Sequence, residues 1–253
     1  MSNYETLQTN TLLRRRYKIR RSLGHGGMGA VYLARDLDFD DYYVAIKENL
    51  VQTGPGVNRQ ASREQFREEA NILRSLRSEH LPLVTAHFII DERQYLVMDF
   101  IDGQDLSEIL KARGRPMNEL EALDIVIQVC EALSYLHERD EPIIHRDIKP
   151  QNIKITSEGR VVLVDFGLAK MGGSDTRTRL GARGGTPGVA PPEQILDDAS
   201  TTPLSDIYAL GATLYRLVTG TRPPESTRLL LKKTKFEPPH KLNPQVSQRL
   251  SLA

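Results

Sequence analysis

The sequence is poor in the residues that stabilise extracellular or membrane-spanning proteins. Its 253 residues include one cysteine and no tryptophan, and 34 basic side chains nearly balance 33 acidic ones, for a formal charge of +1. The single cysteine, Cys130, excludes an intrachain disulfide and favours a reducing compartment. No apolar run approaches the ~18 residues of a spanning helix, and Met1–Thr11 lacks the apolar core of a signal peptide. We therefore expect a cytoplasmic protein with no membrane segment in this chain.

The balanced charge also predicts that nucleic acid is not a partner, because no strong global field would attract it. One dense basic run stands out, from Arg14 to Arg21. This run is either a patch for lipid or an acidic partner, or a solvated lead-in to a first strand. Cys130 falls within the apolar periodicity of a helix, which favours a packed thiol over a nucleophile.

The sequence pattern changes near residue 102, from one that predicts mainly strands to one that predicts mainly helices. Before it, runs of β-branched and aromatic residues predict five strands, at 17–23, 30–35, 42–47, 84–90 and 94–101. Ser62 and Gln65 predict a capping box that opens one helix between the third and fourth strands. Residues 1–16 are polar and basic and are predicted to form a disordered lead. The first hundred residues thus predict a small sheet with one helix.

After residue 102 the pattern becomes mainly helical. Asn118 and Glu121 predict the start of a long helix. The apolar face predicted for it holds Leu120, Leu123, Ile127, Cys130, Leu133 and His137. Thr202-Pro203 and Gly220 predict the start and the end of a second helix, and short strands are predicted at 153–156 and 161–164. The chain is therefore predicted to be α+β, with an N-lobe at 17–101, a C-lobe at 102–253 and a cleft at their junction.

The first candidate site is the glycine-rich run Leu23-Gly24-His25-Gly26-Gly27-Met28-Gly29. Glycines let backbone N–H groups approach phosphate oxygens without a Cβ in the way. In dinucleotide-binding folds the last glycine opens a helix, whereas here Val31 and Tyr32 favour a strand, which argues against a dinucleotide-dependent oxidoreductase. Two alternatives stay open: a phosphate-covering hairpin, or an ordinary hairpin with a glycine-rich tip.

A lone lysine, Lys47, ends the apolar strand Val44-Ala45-Ile46. Its ammonium group is a point charge that suits nucleotide phosphates. Such a lysine needs a carboxylate to position it. Glu69, on the predicted helix that follows, is the best candidate, and Glu68 is its rival.

The most specific pattern is the run His145-Arg146-Asp147-Ile148-Lys149-Pro150-Gln151-Asn152. In it, Asp147 can accept the proton of an attacking hydroxyl, and Lys149 can neutralise charge on a transferring phosphoryl group. Further along the chain, Asp165 closes an apolar strand in Asp165-Phe166-Gly167. Mg²⁺ prefers oxygen ligands and bridges phosphates, so Asn152 and Asp165 are the candidate metal ligands.

Taken together, these motifs resemble the protein kinase superfamily. The runs Gly26-Gly27-Met28-Gly29 and Tyr95–Phe100 resemble the bacterial eukaryotic-like (Hanks-type) serine/threonine kinases. The resemblance begins near Tyr17 and covers nearly the whole chain. It implies a two-lobed kinase fold and a non-specific serine/threonine protein kinase that uses ATP and Mg²⁺ to phosphorylate protein substrates.

The resemblance also implies roles for individual residues. Asp147, Lys149, Lys47 and Glu69 would be catalytic, and Asp206 would hold the catalytic loop from below. Residues that would contact the nucleotide are those of the run 23–29, together with Val31, Ala45, Lys47, the gatekeeper Met98, Asp99 and Ile101. In the family an arginine such as Arg146 commonly receives a phosphate from the activation loop. Ser174, Thr176 and Thr178 are the candidate positions, modified by autophosphorylation during self-association.

One departure from the family concerns the end of the sequence. Family members continue for several tens of residues, so the resemblance implies a C-terminally truncated large lobe. Apolar surface is then predicted to lie uncovered on the helices at 119–137 and 203–219. The alternative function is a non-catalytic nucleotide-binding scaffold or an inactive kinase fragment.

Overall fold

The computed structural model describes residues 6–26, 29–50, 58–91, 93–165, 170–171, 188–196 and 201–252. The chain divides into two compact units. The N-terminal unit comprises residues 1–78 and 82–101, and the C-terminal unit comprises residues 79–81 and 102–253. The chain passes into the C-terminal unit for the last time between Ile101 and Asp102, which is also where the sequence pattern changes.

In the described part of the chain, the N-terminal unit contains one antiparallel sheet and one helix. Its elements are β1 (Leu12–Leu13), β2 (Tyr17–Gly26), β3 (Gly29–Asp36), β4 (Tyr43–Leu50), α1 (Arg59–Ser75), β5 (Val84–Ile90) and β6 (Arg93–Asp99). The strands lie in the order β1-β2-β3-β4-β6-β5. The five predicted strands are confirmed as β2 to β6, with ends that shift by at most three residues.

The core of this unit covers one face of the sheet. Side chains along a strand alternate between the two faces of the sheet. Every second side chain of β4 is therefore buried in this core, namely Val44 and Ile46. The Phe88 ring stacks on Tyr17 at 5.9 Å and on Tyr95 at 5.1 Å between ring centroids. Buried aromatic rings contribute large apolar areas, so this face supplies much of the stability of the unit.

The segment 6–16 corrects one prediction, because it is not a disordered lead. Strand β1 pairs with β2, which places Leu13 opposite Tyr17, and Leu13 is buried in the sheet core. Arg16 donates two hydrogen bonds of 2.7 Å to the Asp36 carboxylate. The turn residues Arg14 and Arg15 are exposed and have positive φ angles. A two-residue strand carries no periodicity, so the sequence pattern could not show it.

Helix α1 begins earlier than we predicted. Asn58 is its N-cap, and the Asn58 side chain accepts a hydrogen bond of 3.1 Å from the Ala61 amide. The predicted capping box of Ser62 and Gln65 is therefore wrong, because both residues lie inside the helix. As the N-cap, Asn58 satisfies one of the first-turn amides that have no partner within the helix.

The C-terminal unit is mainly helical, with two small sheets. Its helices among the described residues are α2 (Leu106–Arg113), α3 (Glu119–His137), α4 (Pro192–Leu196), α5 (Pro203–Thr219), α6 (Ser226–Leu230), α7 (Pro239–Leu242) and α8 (Gln248–Leu252). Its strands are β7 (Gly103–Asp105), β8 (Ile143–Ile144), β9 (Ile153–Thr156), β10 (Val161–Leu163) and β11 (Lys170–Met171). Strands β10, β9 and β7 form one sheet, and β11 pairs with β8. None of the described helices in the chain is both long and apolar enough to cross a membrane.

The start of α3 is as predicted, but its buried face is not. The Asn118 side chain accepts a hydrogen bond of 2.8 Å from the Glu121 amide. The residues that the helix buries are Ala122, Ile125, Val129, Ala132, Leu133 and Leu136. Leu120 and Ile127, assigned to the core by periodicity, are 75% and 54% exposed. Apolar residues occur on more than one side of this helix, so contacts with α5, β8 and β10 select the buried side.

Helix α5 has the bounds that its end signals predict. Pro203 occupies the first turn, and the Thr202 amide donates to Ser205 Oγ at 3.1 Å. Gly220 ends the helix with a φ of 72°, a left-handed conformation that favours glycine. Leu204 on its outer side is 74% exposed. The prediction of exposed apolar side chains on α3 and α5 is thus confirmed.

Candidate active site

The loop between β8 and β9 brings three of the predicted site residues together. Lys149 Nζ donates to both carboxylate oxygens of Asp147, at 2.9 and 2.7 Å. Asn152 Nδ2 donates to the Asp147 carbonyl oxygen at 2.7 Å and to Asp147 Oδ2 at 2.9 Å. A one-turn 3-10 helix, Pro150–Asn152, holds Asn152 in place. The Asp147 carboxylate is therefore fixed by two side chains and retains partial exposure to solvent.

Asp206, near the start of α5, anchors this loop from inside the unit. Its carboxylate is fully buried and accepts hydrogen bonds of 2.8 Å from the His145 and Arg146 amides. His137 Nε2 lies 2.9 Å from Asp206 Oδ2. Since a carboxylate only accepts, this nitrogen must carry the hydrogen. The role that the resemblance implied for Asp206 is thus confirmed by the geometry.

Two backbone positions of the site adopt conformations that side chains disfavour. Arg146 and Asp165 have φ angles of 68° and 69°. For residues other than glycine, such angles cost on the order of 1 kcal/mol and are seen where surrounding contacts enforce them. Here the hydrogen bonds from the His145 and Arg146 amides to Asp206 hold the backbone that leads into Arg146. Burial lowers the pKa of His145, so its imidazole is neutral.

The donor set of the site suits a magnesium ion. Asn152 uses Nδ2 for both of its bonds to Asp147, which leaves Oδ1 as the atom that can coordinate a metal. Asp165, two residues after the end of β10, supplies a half-buried carboxylate. An amide oxygen and a carboxylate oxygen are hard ligands of the kind that Mg²⁺ prefers. The residues present therefore fit the predicted metal.

Helix α4 contributes a contact to the loop between β8 and β9 that we did not predict. Gln194 Nε2, on α4, donates to the Arg146 carbonyl oxygen at 2.8 Å. Its neighbour Glu193 accepts a bond of 2.7 Å from Ser205 Oγ. The signal available in the sequence was the position of Gln194 directly after the run Ala190–Glu193. The predicted positions Phe166, Gly167, Ser174, Thr176 and Thr178 lie outside the described residues.

The glycine-rich run occupies the end of β2 and the start of β3 in the N-terminal unit. Gly26 pairs with Gly29, and His25 pairs with Ala30. Gly27 and Met28 lie outside the described residues. Gly29 has a φ of 144°, and a Cβ at this position would collide with the Glu48 carbonyl oxygen of β4. The last glycine of the motif is therefore required by the close approach of two strands.

We expect replacement of Gly29 by alanine to lower the free energy of unfolding by about 2 kcal/mol or more, because backbone must move to admit the Cβ. Gly24 is the matched control, since no atom lies within 4 Å of a Cβ built there. Gly24→Ala is expected to stay within about 1 kcal/mol of the parent. Urea unfolding of both variants checks this, and equal losses would contradict the steric explanation.

Lys47 and Glu69 lie on β4 and α1 of the same unit, and both side chains are half-buried. Glu69 Oε1 accepts a bond of 2.8 Å from Gln65 Nε2. Its rival Glu68 is exposed. The helix buries Phe66, Ala70 and Leu73 on the side next to Glu69. This placement favours Glu69 as the carboxylate turned toward the body of the unit.

Other residues predicted to contact the nucleotide lie on or next to adjacent strands. Ala45 of β4 pairs with Met98 of β6, and both side chains are buried. Val31 of β3 and Ile101, which follows β6, are half-buried. The Asp99 carboxylate accepts bonds from the Leu83 amide at 3.3 Å and from the Tyr42 hydroxyl at 3.0 Å. These bonds fix the backbone at the point where the chain leaves the N-terminal unit.

Comparison with known families identifies the class of protein. Residues 17–248 match the protein kinase domain family. The chain therefore belongs to the protein kinase domain family, and the fold of the two units is that of a two-lobed kinase. The family and the fold class predicted from the sequence are both confirmed.

Its relatives include bacterial serine/threonine kinases. PknA of Corynebacterium glutamicum is 36% identical over 212 residues, which is 82% of this chain and 44% of the relative. PrkC of Bacillus subtilis is 36% identical over 240 residues, which is 92% of this chain and 36% of the relative. The chain thus spans less than half the length of these two curated relatives.

Solved structures with a similar fold also include kinase domains. The PpkA-294 apo form has a TM-score of 0.75 at 26% identity, covering 98% of this chain and 90% of its own. The PknI kinase domain of Mycobacterium tuberculosis has a TM-score of 0.70 at 26% identity, covering 98% of this chain and 92% of its own. The similarity thus extends over nearly the whole chain.

Proposed function

We propose that this chain transfers the γ-phosphoryl group of ATP to serine and threonine hydroxyls of proteins. The observation that carries the proposal is the Asp147 carboxylate, held by Lys149 and Asn152 in a loop that Asp206 anchors. Positioning and charge neutralisation are the main sources of catalysis in phosphoryl transfer. A preorganised carboxylate beside a fixed cation and a candidate metal ligand meets those requirements.

In the proposed reaction, Asp147 accepts the proton of the attacking hydroxyl. The hydroxyl oxygen forms a bond to the γ-phosphorus, the bond to the β,γ-bridging oxygen breaks, and ADP leaves. Lys149 offsets the charge that accumulates on the transferring group. Asn152 Oδ1 and the Asp165 carboxylate would hold Mg²⁺, which would neutralise phosphate charge when bound.

Residues of the N-terminal unit would bind the rest of the nucleotide. We propose that Lys47, positioned by Glu69, contacts the phosphates as a point charge. Backbone amides of residues 23–29 would cover the phosphates. Val31, Ala45 and Met98 would contact the adenine ring, and backbone atoms of Asp99 and Ile101 would bind its polar edge. Support comes from the matching motif positions and from the strand register that places Ala45 beside Met98.

We further propose protein substrates and autophosphorylation of the segment that contains Ser174, Thr176 and Thr178. Arg146 would receive the phosphate, since a guanidinium binds phosphate oxygens well. Self-association would bring one copy to the loop of another. This part of the proposal rests on the motif order and on the bacterial relatives.

Incubation of the chain with Mg-[γ-³²P]ATP and casein tests the proposal. We expect label in phosphoserine and phosphothreonine after acid hydrolysis, and no label when EDTA replaces magnesium. Label confined to phosphotyrosine would contradict the acceptor class. Nucleotide binding without any transfer would instead support a non-catalytic scaffold.

A further inference from the structure

A buried carboxylate lies next to the proposed phosphate-binding lysine and was not recognised in the sequence. Glu48 directly follows Lys47 on β4 and is 0% exposed. Its Oε2 accepts a bond of 2.9 Å from the Tyr32 hydroxyl, and its Oε1 accepts one of 2.8 Å from the Tyr95 hydroxyl. Arg93 Nη1 lies 3.0 Å from Oε1. Burial of a carboxylate is costly unless it is paired and hydrogen-bonded, and Glu48 is both.

The sheet register explains how these side chains meet. Glu48 pairs with Tyr95 on β6 and with Ala30 on β3. Tyr32 and Arg93 each lie two residues along from those partners, so they occupy diagonal positions on the same face. Lys47 pairs with Val31 and Leu96 and therefore points to the opposite face. One strand thus carries the buried carboxylate on one side and the lysine on the other.

The same network extends to the segment that precedes the sheet. The Leu7 amide donates a bond of 3.0 Å to the Tyr32 hydroxyl, which in turn donates to Glu48. Leu7 also packs against the sheet core. Burial and the bond to Glu48 raise the pKa of Tyr95, so Tyr95 remains a protonated donor. Residue 7 is therefore connected to β4 through two consecutive hydrogen bonds.

We propose that Glu48 is a positioning residue that fixes the reach of Lys47 toward the nucleotide phosphates, an inference that rests on the proposed function. Three donors from two neighbouring strands converge on one carboxylate, so β4 cannot slide or rotate without breaking these bonds. A shift of about 1 Å at a reacting group is enough to cost on the order of a hundredfold in rate. Tyr32 couples the segment around Leu7 to the same carboxylate and shares this role.

The test uses an acyl-phosphate derivative of ATP, which transfers its acyl group to lysines that lie beside the bound phosphates. Mass spectrometry then measures the acylation of Lys47 relative to Lys149 in the same molecule. In Glu48→Gln we expect the Lys47 to Lys149 ratio to fall about tenfold. Tyr32→Phe, which keeps the charge and the ring, should lower the ratio in the same direction by a smaller factor.

Asp36→Asn is the matched control for a general loss of stability. Asp36 is 2% exposed and lies in the same unit, but it ends β3, and its carboxylate accepts hydrogen bonds from Arg16 at 2.7 Å and from the Asp38 amide at 3.1 Å. We expect Asp36→Asn to lower the melting temperature and to leave the acylation ratio unchanged. This pattern would separate positioning of Lys47 from mere stabilisation of the fold.

An unchanged ratio in both Glu48→Gln and Tyr32→Phe, with both lysines acylated, would overturn the positioning role and leave the proposed ATP site intact. A ratio that falls equally in Asp36→Asn would also overturn it, since the effect would then follow stability. If neither lysine of the parent chain is acylated, the proposed ATP site fails, and the role of Glu48 fails with it.

Discussion

Replacing Asp147 by asparagine is expected to lower kcat by a factor between about 10² and 10⁴, because the group that accepts the hydroxyl proton is removed. Asparagine has nearly the same shape, so the KM for ATP should change little. The expected result is a loss confined to the chemical step. A coupled assay of ADP release at saturating Mg-ATP and acceptor protein measures it.

Asp140→Asn is the control for this experiment. Asp140 lies in the same unit and is exposed, and it contributes to no part of the proposed site. We expect Asp140→Asn to retain the parent kcat. If Asp147→Asn also retained it, proton transfer to Asp147 would be excluded from the mechanism. A large rise in KM at unchanged kcat would instead assign Asp147 to substrate binding.

The second large effect is expected at Asp206. Its two oxygens accept from the Arg146 amide, the His145 amide and His137 Nε2. In Asp206→Asn, either orientation of the amide group places an NH₂ against at least one of these donors. Breaking a buried, paired carboxylate in this way costs about 3–5 kcal/mol, a large part of the stability of a typical domain. Urea unfolding should show this loss in the midpoint.

Asp124→Asn is the control variant for the loss of stability expected in Asp206→Asn. Asp124 is an exposed carboxylate on α3 of the same unit. Its replacement is expected to change the free energy of unfolding by no more than about 0.5 kcal/mol. A loss at Asp206 as small as that at Asp124 would mean that the three bonds to Asp206 do not anchor the loop.

Elements with clear end signals were predictable from the sequence. Thr202, Pro203 and Gly220 set the bounds of α5, because a proline in the first turn and a glycine after the last one act locally. Strands β5 and β9 also have the predicted bounds, since β-branched runs flanked by turn residues define them. The bounds of these elements are set by residues at or next to their ends.

Elements that depend on distant partners were not predictable. Leu120 and Ile127 on α3 are as apolar as the residues that the helix buries, and only the packing of α5, β8 and β10 distinguishes them. Strand β1 has two residues and is defined by its pairing with β2. Periodicity cannot show which of two apolar faces a neighbour will cover.

The residues of the candidate site also include some that were predictable from the sequence and one that was not. Asp147, Lys149 and Asn152 lie within one short loop, so their proximity follows from their spacing in the sequence. Glu48 was missed because a glutamate after a strand-end lysine is indistinguishable from an exposed one. Its partners Tyr32 and Tyr95 are 16 and 47 residues away along the chain. Only the register of β3, β4 and β6 brings them to the carboxylate.

The most direct test of phosphoryl transfer by this chain is the intact mass of the purified protein after incubation with Mg-ATP. We predict that the parent chain gains the mass of one or more phosphates, and that Asp147→Asn prepared in the same way gains none. Peptide mapping would then place the phosphate on Ser174, Thr176 or Thr178. A folded parent chain that binds ATP, gains no mass and phosphorylates no added protein would contradict the proposed kinase activity.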